Sequence, residues 1–230
     1  MRKSFALLLV LVFLTASSIA IAKPVSAASP NSWVSKAPMH VARSDLGVAV
    51  VNGRIYAIGG FTQKNGIVGT NEEYDPKTDT WSYKAPMPTP RYCFAIAVYQ
   101  NKIYCIGGCV GETKEHGQTL TAVNEVYDPA TNTWENKTTV PTAKIWATAN
   151  VVGGKIYVIG GYPNTTLNEV YDSKTDTWTT KPPTSTDMFG PSAVYNDKVY
   201  VIWGQTRIYD PATGEVSLGA SQPIALPSTS

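Results

Sequence analysis

Histidine is nearly missing from this chain. His40 and His116 are the two that its 230 residues hold. Neither stands at ligand spacing from the other, from a cysteine or from paired carboxylates, so no metal site is expected. Cysteine is scarce as well: Cys93, Cys105 and Cys109 fall within one short stretch, which excludes a disulfide-built scaffold. Charge is sparse and nearly balanced, with 19 Lys and Arg against 17 Asp and Glu. Without a basic stripe, the electrostatic footprint of a nucleic-acid binder is absent. Each diglycine is followed by a loop and a strand pattern, never by a helix, so no phosphate cradle is formed. No catalytic set and no cofactor is expected from these residues.

Long apolar runs are missing too, except at the start. After Met1-Arg2-Lys3 no charged residue occurs until Lys23, and Phe5–Leu14 is apolar throughout. A positive start, an apolar centre and small residues beyond it make residues 1–28 an export signal. Cleavage fits after Ala22 (Ala20-Ile21-Ala22) or after Ala27 (Val25-Ser26-Ala27). The uncharged run is about as long as a membrane span, so an uncleaved anchor is the alternative, and the membrane is a partner only in that case. Either way the remainder is expected to be secreted or otherwise extracytoplasmic. Losing Arg2 and Lys3 takes the formal charge from +2 to zero. Residues 221–230 are rich in Pro and Ser and are expected to be a disordered tail.

What the chain has in quantity is order. The stretch Lys155-Ile156-Tyr157-Val158-Ile159-Gly160-Gly161, then Asn168-Glu169-Val170-Tyr171-Asp172, then Thr177-Trp178, is one copy of a unit written four times. Upstream copies run Arg54–Gly60 with Asn71–Pro76 and Trp81, and Lys102–Gly108 with Asn124–Pro129 and Trp134. A fourth, worn copy runs Lys198–Gly204 with Arg207–Pro211, and has Val216 where Trp is due. A period near 50 with a diglycine, a Tyr-Asp and a Trp per unit resembles the kelch repeat, one blade of a β-propeller. The resemblance covers roughly residues 33–218. It implies an all-β domain at 29–220, a propeller of about four blades with four antiparallel strands each, and leaves the activity open.

Each unit reads as strands a to d. A small-apolar strand meets a tight loop (Asn52-Gly53, Gln100-Asn101, Gly153-Gly154, Asn196-Asp197) of residues that tolerate positive φ. A buried strand follows and ends at the diglycine, where backbones must bend or approach closely. Strand c stops at an Asp turn, and Thr-Trp opens strand d. The recurring Tyr and Trp read as packing between blades. The units span about 45–84, 92–137, 146–181 and 190–218. A lone outer strand is expected at 32–39, because Trp33-Val34-Ser35-Lys36-Ala37-Pro38-Met39 matches Trp81–Met87. Either that strand completes the last blade and closes a small ring, or the propeller is an open arc, with a possible homo-oligomer. If the Gln100-Asn101 loop is a hairpin, Cys93 lies diagonal to Cys109; a bridge between them and plain buried thiols both stand open.

The a–b and c–d turns are short and alike in every unit, whereas the b–c loops differ: 61–70, 109–123, 162–167 and the single residue Gln205. Variation confined to one face of a repeat array marks the binding face. Arg43, Arg91 and Lys144 stand at matching positions on that face, and Asp45, Tyr92 and Trp146 follow them. By resemblance to peptide-binding kelch propellers these are the candidate ligand-binding residues, joined by Glu112 and His116 from the longest loop. Capping and pairing inside the fold is the competing role for the three basic residues. The expected function is a binding module for a protein, peptide or glycan, with no catalysis. One alternative is a kelch-type sugar enzyme such as a sialic-acid mutarotase, whose acid/base candidates would be Asp45, Glu112, Glu115 and His116. The other is a structural module of a surface assembly.

Overall fold

The computed structural model describes residues 32–113 and 117–221, without the side chains of Glu112 and Thr113. The expected export signal, His116, Glu115 and the tail from 222 lie outside the described residues. The chain is all β: β1 (Gly47–Val51), β2 (Arg54–Ile58), β3 (Phe61–Thr62), β4 (Gly66–Ile67), β5 (Asn71–Asp75) and β6 (Thr80–Lys84) form the first unit. The second holds β7 (Ala95–Tyr99), β8 (Lys102–Ile106), β9 (Cys109–Thr113), β10 (Gly117–Leu120), β11 (Asn124–Asp128) and β12 (Thr133–Lys137). The third has β13 (Thr148–Val152), β14 (Lys155–Ile159), β15 (Asn168–Asp172) and β16 (Thr177–Lys181). The last has β17 (Ser192–Tyr195), β18 (Lys198–Trp203), β19 (Gln205–Tyr209) and β20 (Val216–Ser221). Each unit is built on one four-stranded antiparallel sheet in simple meander order, a blade, so the four-blade propeller is as the repeats predict.

Local chemistry explains the hairpins. Both residues of each a–b loop take positive φ: Gln100 and Asn101 at 50° and 60°, Asn196 and Asp197 at 48° and 56°. That twist matches the flanking strands. At the c–d turns the carboxylate of Asp75, Asp128, Asp172 or Asp210 accepts a hydrogen bond from the backbone N–H two residues on. The turn is thereby fixed from within.

The blades are clipped together by one repeated device. Asp79, Asn132 and Asp176, all left-handed at φ 53–57°, accept hydrogen bonds from the tyrosine of their own strand c: Tyr74, Tyr127 and Tyr171. The same oxygens accept the N–H of Ala37, Ala85 or Thr138, which lies on the approach to that blade's first strand. Trp81, Trp134 and Trp178 donate their indole N–H to the carbonyls of those same three residues, each at 2.8 Å. Each of these tryptophans also packs on its tyrosine at 5.0–5.1 Å between ring centroids. The recurring aromatics are therefore the joints of the fold, and the hydrophobic cores lie between successive blades.

Residues 32–39 form no strand. Ala37 is docked on the first blade through Asp79 and Trp81, while the fourth blade supplies its own outer strand, β20. The expectation that 32–39 completes the last blade is thus replaced by these two observations. The inner strands pack β1 on β7, β7 on β13 and β13 on β17. Among the described residues no comparable packing joins β17 to β1, and Val48, Val50 and Tyr195 are exposed there. The seam between the fourth and first blades is unsealed at the inner strands.

Candidate functional site

The basic residues expected at the channel mouth lie inside the blades. The Arg43 and Arg91 side chains are fully buried and that of Lys144 is 2% exposed, each ion-paired with a buried glutamate of strand c: Glu72, Glu125 and Glu169. Both arginines also donate to backbone carbonyls, Arg43 to Val41 and Ala57, Arg91 to Thr89 and Cys105. Burial would push the Glu72 carboxyl up, but hydrogen bonds from Arg43 and His40 hold it below its ordinary value. These groups tie the approach to strand a onto strands b and c, which leaves them no surface to offer a ligand. Burial pushes the Lys144 ammonium down, with Glu169 pulling the other way. An ammonium lacks the planar fork that reaches a carboxylate and a carbonyl together. In this blade the carbonyl of Val158 holds the place that Ala57 and Cys105 hold elsewhere. Lys144→Arg should therefore stabilise the protein by about 1 kcal/mol, raising Tm by roughly 2–4 °C in a thermal melt. An unchanged or lowered Tm would show that this blade lacks room for the fork.

The residues just beyond the basic positions build something different. Asp45, Cys93 and Trp146 stand at equivalent positions and all take the left-handed conformation, with φ of 55°, 53° and 58°. Gly190 at 121° occupies the place in the fourth blade. Cys93 N–H donates to the Asp45 carbonyl and Trp146 N–H to the Cys93 carbonyl, both at 3.0 Å, so hydrogen bonds step from blade to blade around the axis. The preceding residue in each case bridges to the b–c loop: Ser44 to Phe61, Tyr92 to Cys109, Ile145 to Tyr162. A left-handed Trp or Cys costs of order 1–2 kcal/mol and persists only where surroundings impose it. Here the two anchors on either side impose it, on three residues that line one pocket.

Around that axis opens a pocket of about 680 Å³. Asp45, Cys93 and Trp146 form one wall, with Phe94, Leu46 and Ala147 alongside; Phe189, Gly190, Pro191 and Trp203 of the fourth blade form the other. Trp146 donates its indole N–H to the Cys93 sulfur at 2.9 Å, and Ser44 donates to the Asp45 carboxylate at 2.9 Å. Burial, with the Asp45 charge added, pushes the Cys93 thiol up to about 11, so at neutral pH it is a protonated thiol. Phe189 packs on Trp203 at 5.6 Å. Trp146 is 50% exposed and Trp203 57% exposed, so both lining rings are open to solvent.

Trp203 is admitted by an exception in the repeat. It stands where the other units have the first glycine of the diglycine. A side chain at Gly59, Gly107 or Gly160 would run into the carbonyl of Arg91, Lys144 or Met188 on the following blade. Among the described residues no blade packs in that way behind the fourth, and the position opens to the pocket.

Of the residues expected from sequence, Asp45 and Trp146 are at the pocket. Tyr92 is buried beneath it, accepting a hydrogen bond from Gln118 and lying edge-on to Phe61. The side chain of Glu112, and His116, lie outside the described residues. Cys93, Phe189 and Trp203 are not among the ligand-binding residues expected from sequence. Counting two residues on from each basic position finds Cys93, and the broken diglycine marks Trp203. All three cysteines are free thiols.

A family model described as the KLHDC2/KLHL20/DRC7 Kelch-repeats domain matches residues 29–209. The chain belongs to the kelch-repeat family. Among curated proteins, it is similar to Beta-scruin of Limulus polyphemus, at 30% identity over 133 residues. That match covers 57% of this chain and 14% of the relative, so the chain spans a small part of the length of the curated relative it matches. Kelch propellers commonly bind proteins, and a protein-binding module is the role the family supports.

Proposed function

We propose that this kelch propeller is an exported binding module that takes a segment of a partner protein into the axial pocket between Trp146 and Trp203. The observation that carries this reading is the pocket itself. Aromatic faces from the third and fourth blades meet an acid and a thiol from the first and second, on the face that also bears the variable b–c loops. An apolar, aromatic-lined concavity of this size with few polar groups is the usual form of a recognition site. Two features support binding over turnover. Among the described residues, Asp45 is the sole carboxylate that lines the pocket. The Cys93 thiol is shifted away from the thiolate that nucleophilic attack requires.

The test uses the full chain expressed with its own N terminus, recovered from outside the cytoplasm and expected to begin at Lys23 or Ala28. A library of short peptides and sugars is screened by thermal shift, since a ligand bound by the folded state alone raises the melting temperature. Peptide hits should disappear in Trp203→Ala, whose unliganded melting temperature stays near that of the parent. Hits that survive this change would place the binding surface elsewhere, and a cytoplasmic, unprocessed chain would sink the exported part of the reading.

A further inference from the structure

We infer, resting on that reading, that the axial pocket recognises a cationic side chain, lysine or arginine, on the partner protein. Three observations converge on this. Among the described residues the pocket carries one formal charge, and it is negative: Asp45 is exposed at the wall, and no basic side chain lines the cavity there. The basic residues closest to it in sequence, Arg43, Arg91 and Lys144, are spent on Glu72, Glu125 and Glu169 inside the blades. Their charge is neutralised where it arises and does not offset Asp45. Much of the remaining wall is aromatic, from Trp146, Trp203, Phe189 and Phe94, rings whose faces are electron-rich. Such faces attract cations, Trp most strongly.

Competing occupants fit less well. An acidic segment would bring its carboxylates against Asp45 with no basic group to receive them. A sugar needs several hydrogen-bonding partners around its ring. Here the Trp146 indole N–H is already given to Cys93, the Cys93 thiol is engaged by Asp45 and Trp146, and the other walls are apolar. The Asp45 carboxylate keeps room for more: it accepts from Ser44 and from the Cys93 thiol, and an ionised carboxylate has about four lone-pair sites. A guanidinium or ammonium entering between the indoles would meet the carboxylate at the wall and ring faces on its flanks.

The test compares pools of short peptides that share a fixed central residue: arginine, its neutral isostere citrulline, glutamate or leucine. Retention on the immobilised full chain is read by mass spectrometry, for the parent, for Asp45→Asn and for Trp203→Ala. Asn is the chosen change because it tolerates the left-handed backbone that Asp45 adopts. The arginine pool should be retained at least tenfold over the citrulline pool, with the preference falling to under threefold in Asp45→Asn and weakening as salt rises. Equal retention of arginine and citrulline, or a preference untouched by Asp45→Asn, overturns the cation assignment. If glutamate or leucine pools are the ones retained, and lose retention in Trp203→Ala, the pocket still binds peptides and only the cation inference fails. If no pool depends on Trp203, both readings fall together.

Discussion

Replacing Arg91 with methionine should destabilise the protein by about 3–5 kcal/mol, among the largest losses a single side chain can cause here. The figure follows from what is left behind rather than from the attraction removed. Glu125, 1% exposed at its side chain, would keep its charge without a counterion, and the carbonyls of Thr89 and Cys105 would each lose a donor. The companion change separates these causes. Arg91→Met with Glu125→Leu removes the orphaned charge and should recover more than half of the loss, the unpaired carbonyls accounting for the rest. Urea unfolding of the two variants and the parent measures both numbers. A single-variant loss under about 1 kcal/mol would mean that the pair is ornamental, and equal losses would show that the charge was not the cause.

Gly160→Ala should be worse, and its control makes the reason visible. A β-carbon at Gly160 would run into the Met188 carbonyl oxygen, at a φ of +69°. Gly153 shares the left-handed backbone at +57°, yet nothing lies within 4 Å of the atom added there. Gly153→Ala is thus expected to cost about 1–2 kcal/mol for conformation alone. Gly160→Ala must also push the fourth blade off the third, exposing the core of Val152, Ile159, Met188, Val199 and Val201. A loss above about 4 kcal/mol is expected, together with proteolytic cleavage beginning after residue 188. Equal melting temperatures for the two variants would show that this junction relaxes freely.

The fold was legible because its determinants are local and repeated. A tight turn needs residues that accept positive φ, and Asn52-Gly53, Gln100-Asn101, Gly153-Gly154 and Asn196-Asp197 announce it in every unit. The candidate site was half legible, and the split has a physical reason. Asp45 and Trp146 stood out because they break a small-apolar pattern. The direction of Arg43, Arg91 and Lys144 depends on partners about 25–35 residues away, and strand periodicity does not say which end of a long side chain finds which carboxylate. A signal did exist within the chain. The three units with a basic residue before strand a also have Asn-Glu opening strand c, whereas the fourth has Met188 at one place and Arg207 at the other. Base and acid are kept or lost together, the mark of a pair. The course of residues 32–39 was harder to read, since the sequence that forms a strand at Thr80–Lys84 here leads into Ala37 bonded to Asp79 and Trp81.

Trp203 also sets how such an array can grow. Duplicating the second or third blade in place preserves a glycine at each new joint, and the next backbone carbonyl has somewhere to sit. Duplicating the fourth would set a carbonyl against the tryptophan β-carbon, as the clash distances at Gly59, Gly107 and Gly160 imply. One codon thus acts as a terminator for tandem extension at that end. Lengthening the propeller by gene duplication or by design would have to restore glycine there first, giving up one wall of the pocket in exchange for another blade.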